Sequence, residues 1–239
     1  MAEPSVKCWH ILATREALIG ALTETLAADF RAAVAARGQM LLGASGGSTP
    51  KPGYQRLAAM DLPWSALTVL IVDERFVPPD HEFSNQRMIA GSLLHRHADA
   101  NCVGLWSSAA TIDAAAKRAT DRVRALPRPL DTVLLGMGED GHFASCFPSA
   151  DQFAAAIDPD SEAVVLPITP MPATVQPNIE RLTLTWAYLR RAERIVLAIT
   201  GARKREVLLQ AMRDEEPSQL PVAALFKPGM PAIDIYWSA

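Results

Sequence analysis

Four short apolar runs, each ending abruptly in a polar turn, constrain the fold of this chain more than any other feature. Met40 to Ala44 empties into Ser45-Gly46-Gly47-Ser48-Thr49-Pro50, and Leu67 to Val72 into Asp73-Glu74-Arg75. Thr132 to Leu135 runs into Gly136-Met137-Gly138-Glu139-Asp140-Gly141-His142, and Arg194 to Thr200 into Gly201-Ala202-Arg203-Lys204. Continuously apolar runs of this length, separated by helical segments, form the buried strands of a parallel sheet. The expected fold class is therefore α/β, a mainly parallel open sheet with helices on both faces. Ligands bind such sheets beyond the carboxyl ends of the strands, and all four polar turns fall there.

The rest of the chain fits this plan. Val6 to Leu12 reads as a short edge strand and Thr14 to Arg37 as a long helix, with Thr14 as N-cap and Gly38 at its carboxyl end. Pro50 suits the first turn of a helix running to about Met60. Ser84-Asn85 opens a helix to about His97, Thr111 to Leu126 forms another, and Gly201 to Lys204 opens one that reaches about Arg213. Further strands are expected at Ala163 to Ile168, Arg181 to Trp186 and Ile233 to Trp237. Pro167 to Pro177 reads as a surface loop or hinge. No repeat or low-complexity tract divides the 239 residues, so the chain is read as a single domain, 1–239.

Composition excludes several classes of function. The net charge is −3, from 23 basic and 26 acidic residues, which leaves no basic footprint for nucleic acid and no polybasic patch for a membrane. No apolar run approaches the ~18 residues of a membrane span. The amino terminus lacks the charged-then-apolar pattern of a signal peptide. Cys8, Cys102 and Cys146 are too few and too widely spaced for a disulfide framework or a zinc knuckle. The expectation is a cytoplasmic protein.

The loop ending in His142 carries the strongest chemical signal. Its glycines let the backbone approach a ligand closely. Histidine is the side chain whose ordinary pKa lies near neutrality, which makes His142 the natural general base. Gly136-x-Gly138-x-x-Gly141 also fits a dinucleotide fingerprint, but that motif must open a long helix. Pro148 follows seven residues after Gly141 and would break it. Ser45 to Thr49 offers backbone N–H groups, hydroxyls and a helix start, a seat for a phosphate. The same turn fits G-x-S-x-G through Gly43, Ser45 and Gly47, the pattern of a nucleophile elbow. Arg75 can pair with a phosphate, and Asp73 can accept a substrate hydroxyl or orient His142. Lys204 near a helix start opposes the helix dipole, a cost that an anionic ligand would offset.

With Ser84-Asn85, Ala144-Ser145-Cys146-Phe147-Pro148 and Arg181-Leu182-Thr183-Leu184-Thr185, these motifs resemble, in order and spacing, those of the 6-phosphogluconolactonases. The resemblance runs over roughly residues 10 to 237. Glucosamine-6-phosphate deaminases of the wider superfamily share Asp-Gly-His but continue towards Asn-Glu-Pro. Ala144 to Pro148 is closer to the lactonase Ala-Ser-Leu-Phe-Pro, with Cys146 in place of Leu. The resemblance implies a Rossmann-like, sugar-phosphate isomerase/deaminase-type scaffold that needs no metal and no cofactor. It implies hydrolysis of 6-phospho-D-glucono-1,5-lactone to 6-phosphogluconate in the oxidative pentose phosphate pathway. By position it implies catalysis by His142, Asp73 and Asp140, with His142 taking a proton from the attacking water. Ser45, Gly46, Gly47, Ser48, Thr49, Arg75, Arg181 and Lys204 would hold the substrate phosphate. A transient link to the upstream glucose-6-phosphate dehydrogenase is the protein partner that comes with this reading. On the residues alone, a serine esterase using Ser45, a sugar-phosphate isomerase or deaminase, and a non-catalytic sugar-phosphate sensor stay open.

Overall fold

The computed structural model describes residues 6–171, 177–213 and 220–239. An edge strand, β1 (Val6–Leu12), leads into helix α1 (Arg15–Arg37). The Thr14 hydroxyl caps α1 by accepting the Ala17 N–H at 3.1 Å, and Gly38 closes it in the left-handed region at φ 74°. Leu18, Leu22, Leu26 and Phe30 recur at helical spacing and are buried, which commits one face of α1 to the core. The chain continues through β2 (Met40–Ala44), α2 (Pro50–Leu57), β3 (Leu67–Ile71) and β4 (Asp73–Arg75). Next come α3 (Asn85–Ile89), which runs on as a π-helical turn (Ala90–Leu94), then β5 (Asn101–Val103), α4 (Ile112–Arg124) and β6 (Thr132–Leu135). After α5 (Phe153–Ile157) come β7 (Val165–Ile168), β8 (Arg181–Leu184), α6 (Trp186–Leu189), β9 (Arg194–Thr200), α7 (Ala202–Ala211) and β10 (Ile233–Ser238).

Seven strands form one parallel sheet in the order β1-β10-β9-β6-β2-β3-β5. Every residue of β2 and of β6 is buried, as a sheet covered on both faces requires. The α/β architecture read from the sequence is the one observed. From β2 the chain moves to β3 and β5 on one side, then returns to place β6 on the other. The connections leaving β2 and β6 therefore diverge. This is the switch point at which open α/β sheets take ligands.

Two expected strands go elsewhere. The Ala163–Ile168 and Arg181–Trp186 runs do not join the parallel sheet. As β7 and β8 they pair with β4 in a three-stranded antiparallel sheet, order β4-β8-β7. Only Val72 separates β3 from β4, and its carbonyl accepts the Leu184 N–H at 2.9 Å, so the chain passes from one sheet to the other without a loop. The register sets Asp73 opposite Thr183 and Arg75 opposite Arg181. The second run stops at Leu184 because Thr185 caps α6, its hydroxyl accepting the Tyr188 N–H at 3.3 Å.

Other bounds shift as well. The helix from Pro50 ends at Leu57, and the one expected from Ser84 to His97 is α3 with its π turn. β5 and α5 were not expected, because elements of three and five residues carry too little periodicity to read. Of the proline-rich stretch, Pro167 lies in β7, an edge strand where its missing N–H is tolerated, and residues 172–176 lie outside the described residues. Among the described residues no helix is long and apolar enough to cross a membrane.

Candidate active site

A cleft of about 290 Å³ lies over the switch point. It is lined by the Ser45–Thr49 turn after β2, by Gly136, Gly138 and His142 after β6, and by Asp73 and Arg75 of β4. Arg181 of β8 and Lys204, in the first turn of α7, complete it. Every residue expected from the sequence to act in the site is thus on one cleft except Asp140, which reaches it through His142.

The loop after β6 folds back on itself. The Gly138 N–H donates to the His142 carbonyl at 2.8 Å, and the Gly141 N–H to the Gly138 carbonyl at 3.2 Å. Asp140 Oδ1 accepts the His142 N–H at 3.2 Å and meets His142 Nδ1 at 2.6 Å. Burial pushes the Asp140 carboxyl up, but the hydrogen bond and charge of His142 outweigh it and hold it below its ordinary 3.8. An ionised carboxylate can only accept. In the neutral imidazole Nδ1 therefore carries the hydrogen and Nε2 keeps the lone pair. Position 138 must be glycine, since a Cβ there would lie 2.3 Å from the imidazole and 2.4 Å from Asp140 Oδ1.

Asp73 has other partners. Its Oδ2 accepts the Ser145 hydroxyl at 2.7 Å, and its Oδ1 faces Asn85 Nδ2 at 3.4 Å. The carboxylate that orients His142 is Asp140, and Asp73 instead ties β4 to the His142 loop through Ser145. Glu74 is wholly buried and accepts four hydrogen bonds: from the N–H groups of Arg75 (2.8 Å), Asn85 (2.7 Å) and Gln86 (2.7 Å), and from the Ser84 hydroxyl (2.9 Å). Burial raises its pKa, and the four donors, which favour the anion, work against that rise. Two of those donors are free N–H groups of the first turn of α3, so Glu74 fastens that helix to β4.

The same cleft is lined by cations. Arg181 is only 4% exposed, although a strand-start arginine could have faced solvent. Its Nε and Nη2 donate to the carbonyls of Ile179 and Pro177, both at 3.1 Å. Burial pushes its pKa down to about 10 and the Arg75 cation adds to the fall, against Asp73 and Glu74; it stays charged at neutral pH. Arg75 Nη1 donates to the Phe83 carbonyl at 2.7 Å and to Asn85 Oδ1 at 3.0 Å. Like charges directly opposite destabilise a strand pair, and partial burial sharpens the repulsion. An anion between the guanidinium groups reverses the sign. Among the described residues, the buried Ser45 Oγ and Arg75 Nε have no hydrogen-bond partner. A buried polar group left unpaired costs about 1–3 kcal/mol, so both are further places for an anion's oxygens.

Ser45 does not sit in an elbow. Among the described residues Ala144, at φ 49°, is the one non-glycine residue with positive φ, so Ser45 lacks the strained backbone of that motif. Its Oγ also has no base beside it. Asn85 and Ser145 are the residues that sequence reasoning missed. Both stand in recognisable motifs, but their partners lie in distant segments. Among the described residues no group of three or more His, Cys, Asp or Glu side chains could hold a metal ion.

The comparisons with known proteins agree on one family. A family model described as glucosamine-6-phosphate isomerases/6-phosphogluconolactonase matches residues 13–237. The chain is 41% identical to a 6-phosphogluconolactonase of Rhizobium meliloti (strain 1021) over 230 residues, 96% of this chain and 97% of that protein. The crystal structure of a 6-phosphogluconolactonase from Shewanella baltica OS155 superposes with a TM-score of 0.89 at 32% identity, covering 98% of this chain and 100% of that one. A monomeric glucosamine-6-phosphate deaminase shares the fold, with a TM-score of 0.80 at 18% identity over 96% of each chain.

Proposed function

This chain belongs to the glucosamine-6-phosphate isomerase/6-phosphogluconolactonase family, and from that premise we propose that it hydrolyses 6-phospho-D-glucono-1,5-lactone to 6-phosphogluconate. One observation carries the reading: a single cleft is lined both by an imidazole oriented by a carboxylate and by two arginines paired directly opposite each other on neighbouring strands. The lactone presents the two matching groups, an electrophilic C1 and a 6-phosphate dianion. The phosphate would lie on the Ser45–Thr49 turn, with Arg75, Arg181 and Lys204 around it.

His142 Nε2 takes a proton from water as the oxygen adds to C1. The resulting tetrahedral oxyanion collapses, the bond from C1 to the ring oxygen breaks, and the imidazolium returns its proton to that oxygen. The new carboxylic acid ionises at neutral pH. Asp140 holds Nδ1 and stabilises the transient imidazolium. General-base assistance of this kind supplies about 10²–10⁴-fold. Asp73, tied to Ser145 and Asn85, is placed to hold a sugar hydroxyl. A covalent route through Ser45 has less support, because its hydroxyl has no base in reach. The chain works as one domain in this reading, since buried residues of both sheets share one core. A reducing cytoplasm suits its three free cysteines.

The test is lactone hydrolysis by the wild type, His142→Ala and Ser45→Ala, with the phosphorylated lactone made in situ. His142→Ala should lose nearly all enzymatic rate, whereas Ser45→Ala should keep turnover at a raised KM. Equal loss in both would move catalysis to Ser45. A wild type that leaves the lactone untouched but releases ammonia from glucosamine 6-phosphate would replace this reading with the deaminase one.

A further inference from the structure

Asn85 touches three residues of the cleft with one side chain, Asp73 and Arg75 of β4 and Gly46 of the turn after β2. Its Oδ1 accepts Arg75 Nη1 at 3.0 Å, and its Nδ2 donates to the Asp73 carbonyl at 2.8 Å and faces Asp73 Oδ1 at 3.4 Å. The same amide lies against the Ser45–Thr49 turn so closely that a Cβ on Gly46 would fall 2.0 Å from Oδ1. Asn85 is 4% exposed, its backbone N–H is fixed by Glu74 at 2.7 Å, and it opens α3 behind the Ser84 cap. The side chain has almost no freedom.

The chemistry of the three neighbours selects an amide. Arg75 offers only donors, whereas the Asp73 carbonyl and carboxylate only accept. An amide carries one acceptor and one donor group at fixed separation and adds no charge. A carboxylate at this position would satisfy Arg75 but repel Asp73 and partly neutralise the cation. An aliphatic side chain would satisfy neither. These contacts fix which end of the amide is oxygen.

We infer that Asn85 is a positioning residue that sets Arg75 towards the substrate phosphate and Asp73 towards the sugar, and so couples phosphate recognition to placement of the lactone ring. The inference rests on the lactonase reading for its substrate, but not for the anion seat. Loss of the amide frees Arg75 to follow Phe83 alone and lets the Asp73 carboxylate turn.

Asn85→Ala and the equal-sized Asn85→Asp should be compared with wild type in three measurements: hydrolysis of the 6-phosphorylated lactone, hydrolysis of unphosphorylated glucono-1,5-lactone, and calorimetric binding of inorganic phosphate. Thermal melting checks that each variant is folded. For Asn85→Ala, KM for the phosphorylated lactone and the phosphate dissociation constant should each rise about tenfold, the worth of one hydrogen bond to a charged group. The unphosphorylated lactone, which has no phosphate for Arg75 to hold, should keep most of its kcat/KM, so preference for the phosphorylated substrate falls by about the same factor. Asn85→Asp, which preserves packing, should lose the preference as well. Equal losses on both lactones, unchanged phosphate binding, or a folded Asn85→Asp that behaves as wild type would each overturn the inference. A wild type that hydrolyses neither lactone sinks the lactonase reading alone, because the phosphate-binding comparison still decides the role of Asn85.

Discussion

At the scale of single residues, the site depends on which nitrogen of His142 carries the hydrogen. Asp140 settles that by accepting from Nδ1 at 2.6 Å. Asp140→Asn substitutes a group that can donate to Nδ1 and so stabilise the wrong tautomer. Its kcat should fall roughly 10²- to 10⁴-fold with little change in KM, the range expected when a general base is misoriented. The same pair has a consequence for acid stability. The Asp140 carboxyl is held below its ordinary 3.8, chiefly by the hydrogen bond and charge of His142 acting against burial. Between the lowered folded value and 3.8 the unfolded chain binds more protons, so stability rises with pH across that window. The contribution is fully present above the ordinary carboxylate value and is lost as pH falls through the folded one. Urea unfolding at pH 2 to 5 should show a shallower acid dependence in Asp140→Asn than in wild type. An identical dependence would mean that the carboxylate gains nothing from His142 in the fold.

At the scale of elements, the junction of β4 with α3 decides where Arg75 and Asp73 point. Glu74 holds that junction by accepting four hydrogen bonds with no exposed surface. Glu74→Gln keeps the shape but turns one acceptor oxygen into a donor facing N–H groups. Each donor left unpaired in the interior costs about 1–3 kcal/mol, so the unfolding free energy measured in urea should fall by at least that much. KM for the phosphorylated lactone should rise too, because Arg75 is carried by the same short strand. A variant with wild-type stability would show that the buried carboxylate is dispensable. The antiparallel sheet has a similar role, since its register sets Arg75 opposite Arg181. Arg181 is 106 residues along the chain from Arg75, and nothing in its neighbourhood, from Glu180 to Thr185, announces a cationic partner. Only strand pairing brings the two guanidinium groups together.

At the scale of the whole molecule, chemistry and structural charge occupy opposite ends of the parallel sheet. The cleft lies beyond the carboxyl ends of β2 and β6. At the amino ends, buried Asp131 accepts from Arg37, from Arg128 at 2.7 Å and from the Leu41 N–H at 2.6 Å, and so fastens the start of β6 to that of β2. Arg194 does the same for β9 and β10, with Asp29 and Asp234 each at 2.8 Å. Asp131→Ala removes the carboxylate shared by Arg37 and Arg128, leaving Arg37 with Glu193 at 3.1 Å and Arg128 with the Gln39 carbonyl at 3.0 Å, and leaves the Leu41 N–H unpaired, so it should cost about 1–3 kcal/mol in urea unfolding. The turnover of the molecules that remain folded should be unchanged, since no cleft residue touches Asp131. A loss below 1 kcal/mol would class this network with weak surface pairs. Much of the molecule was legible before folding. Apolar runs ending in polar turns determined the parallel strands, and Thr14 and Gly38 determined the ends of α1, because period and capping are local properties. The motifs named nearly every cleft residue for the same reason, since each loop contributes its group from a contiguous segment. Tertiary structure alone decided the antiparallel β4-β8-β7 sheet, the burial of Arg181, the pairing of Asp73 with Ser145, and the place of Asn85 between β4 and the Ser45–Thr49 turn. Those features are distances between residues far apart in sequence, and a distance of that kind exists only once the strands have paired.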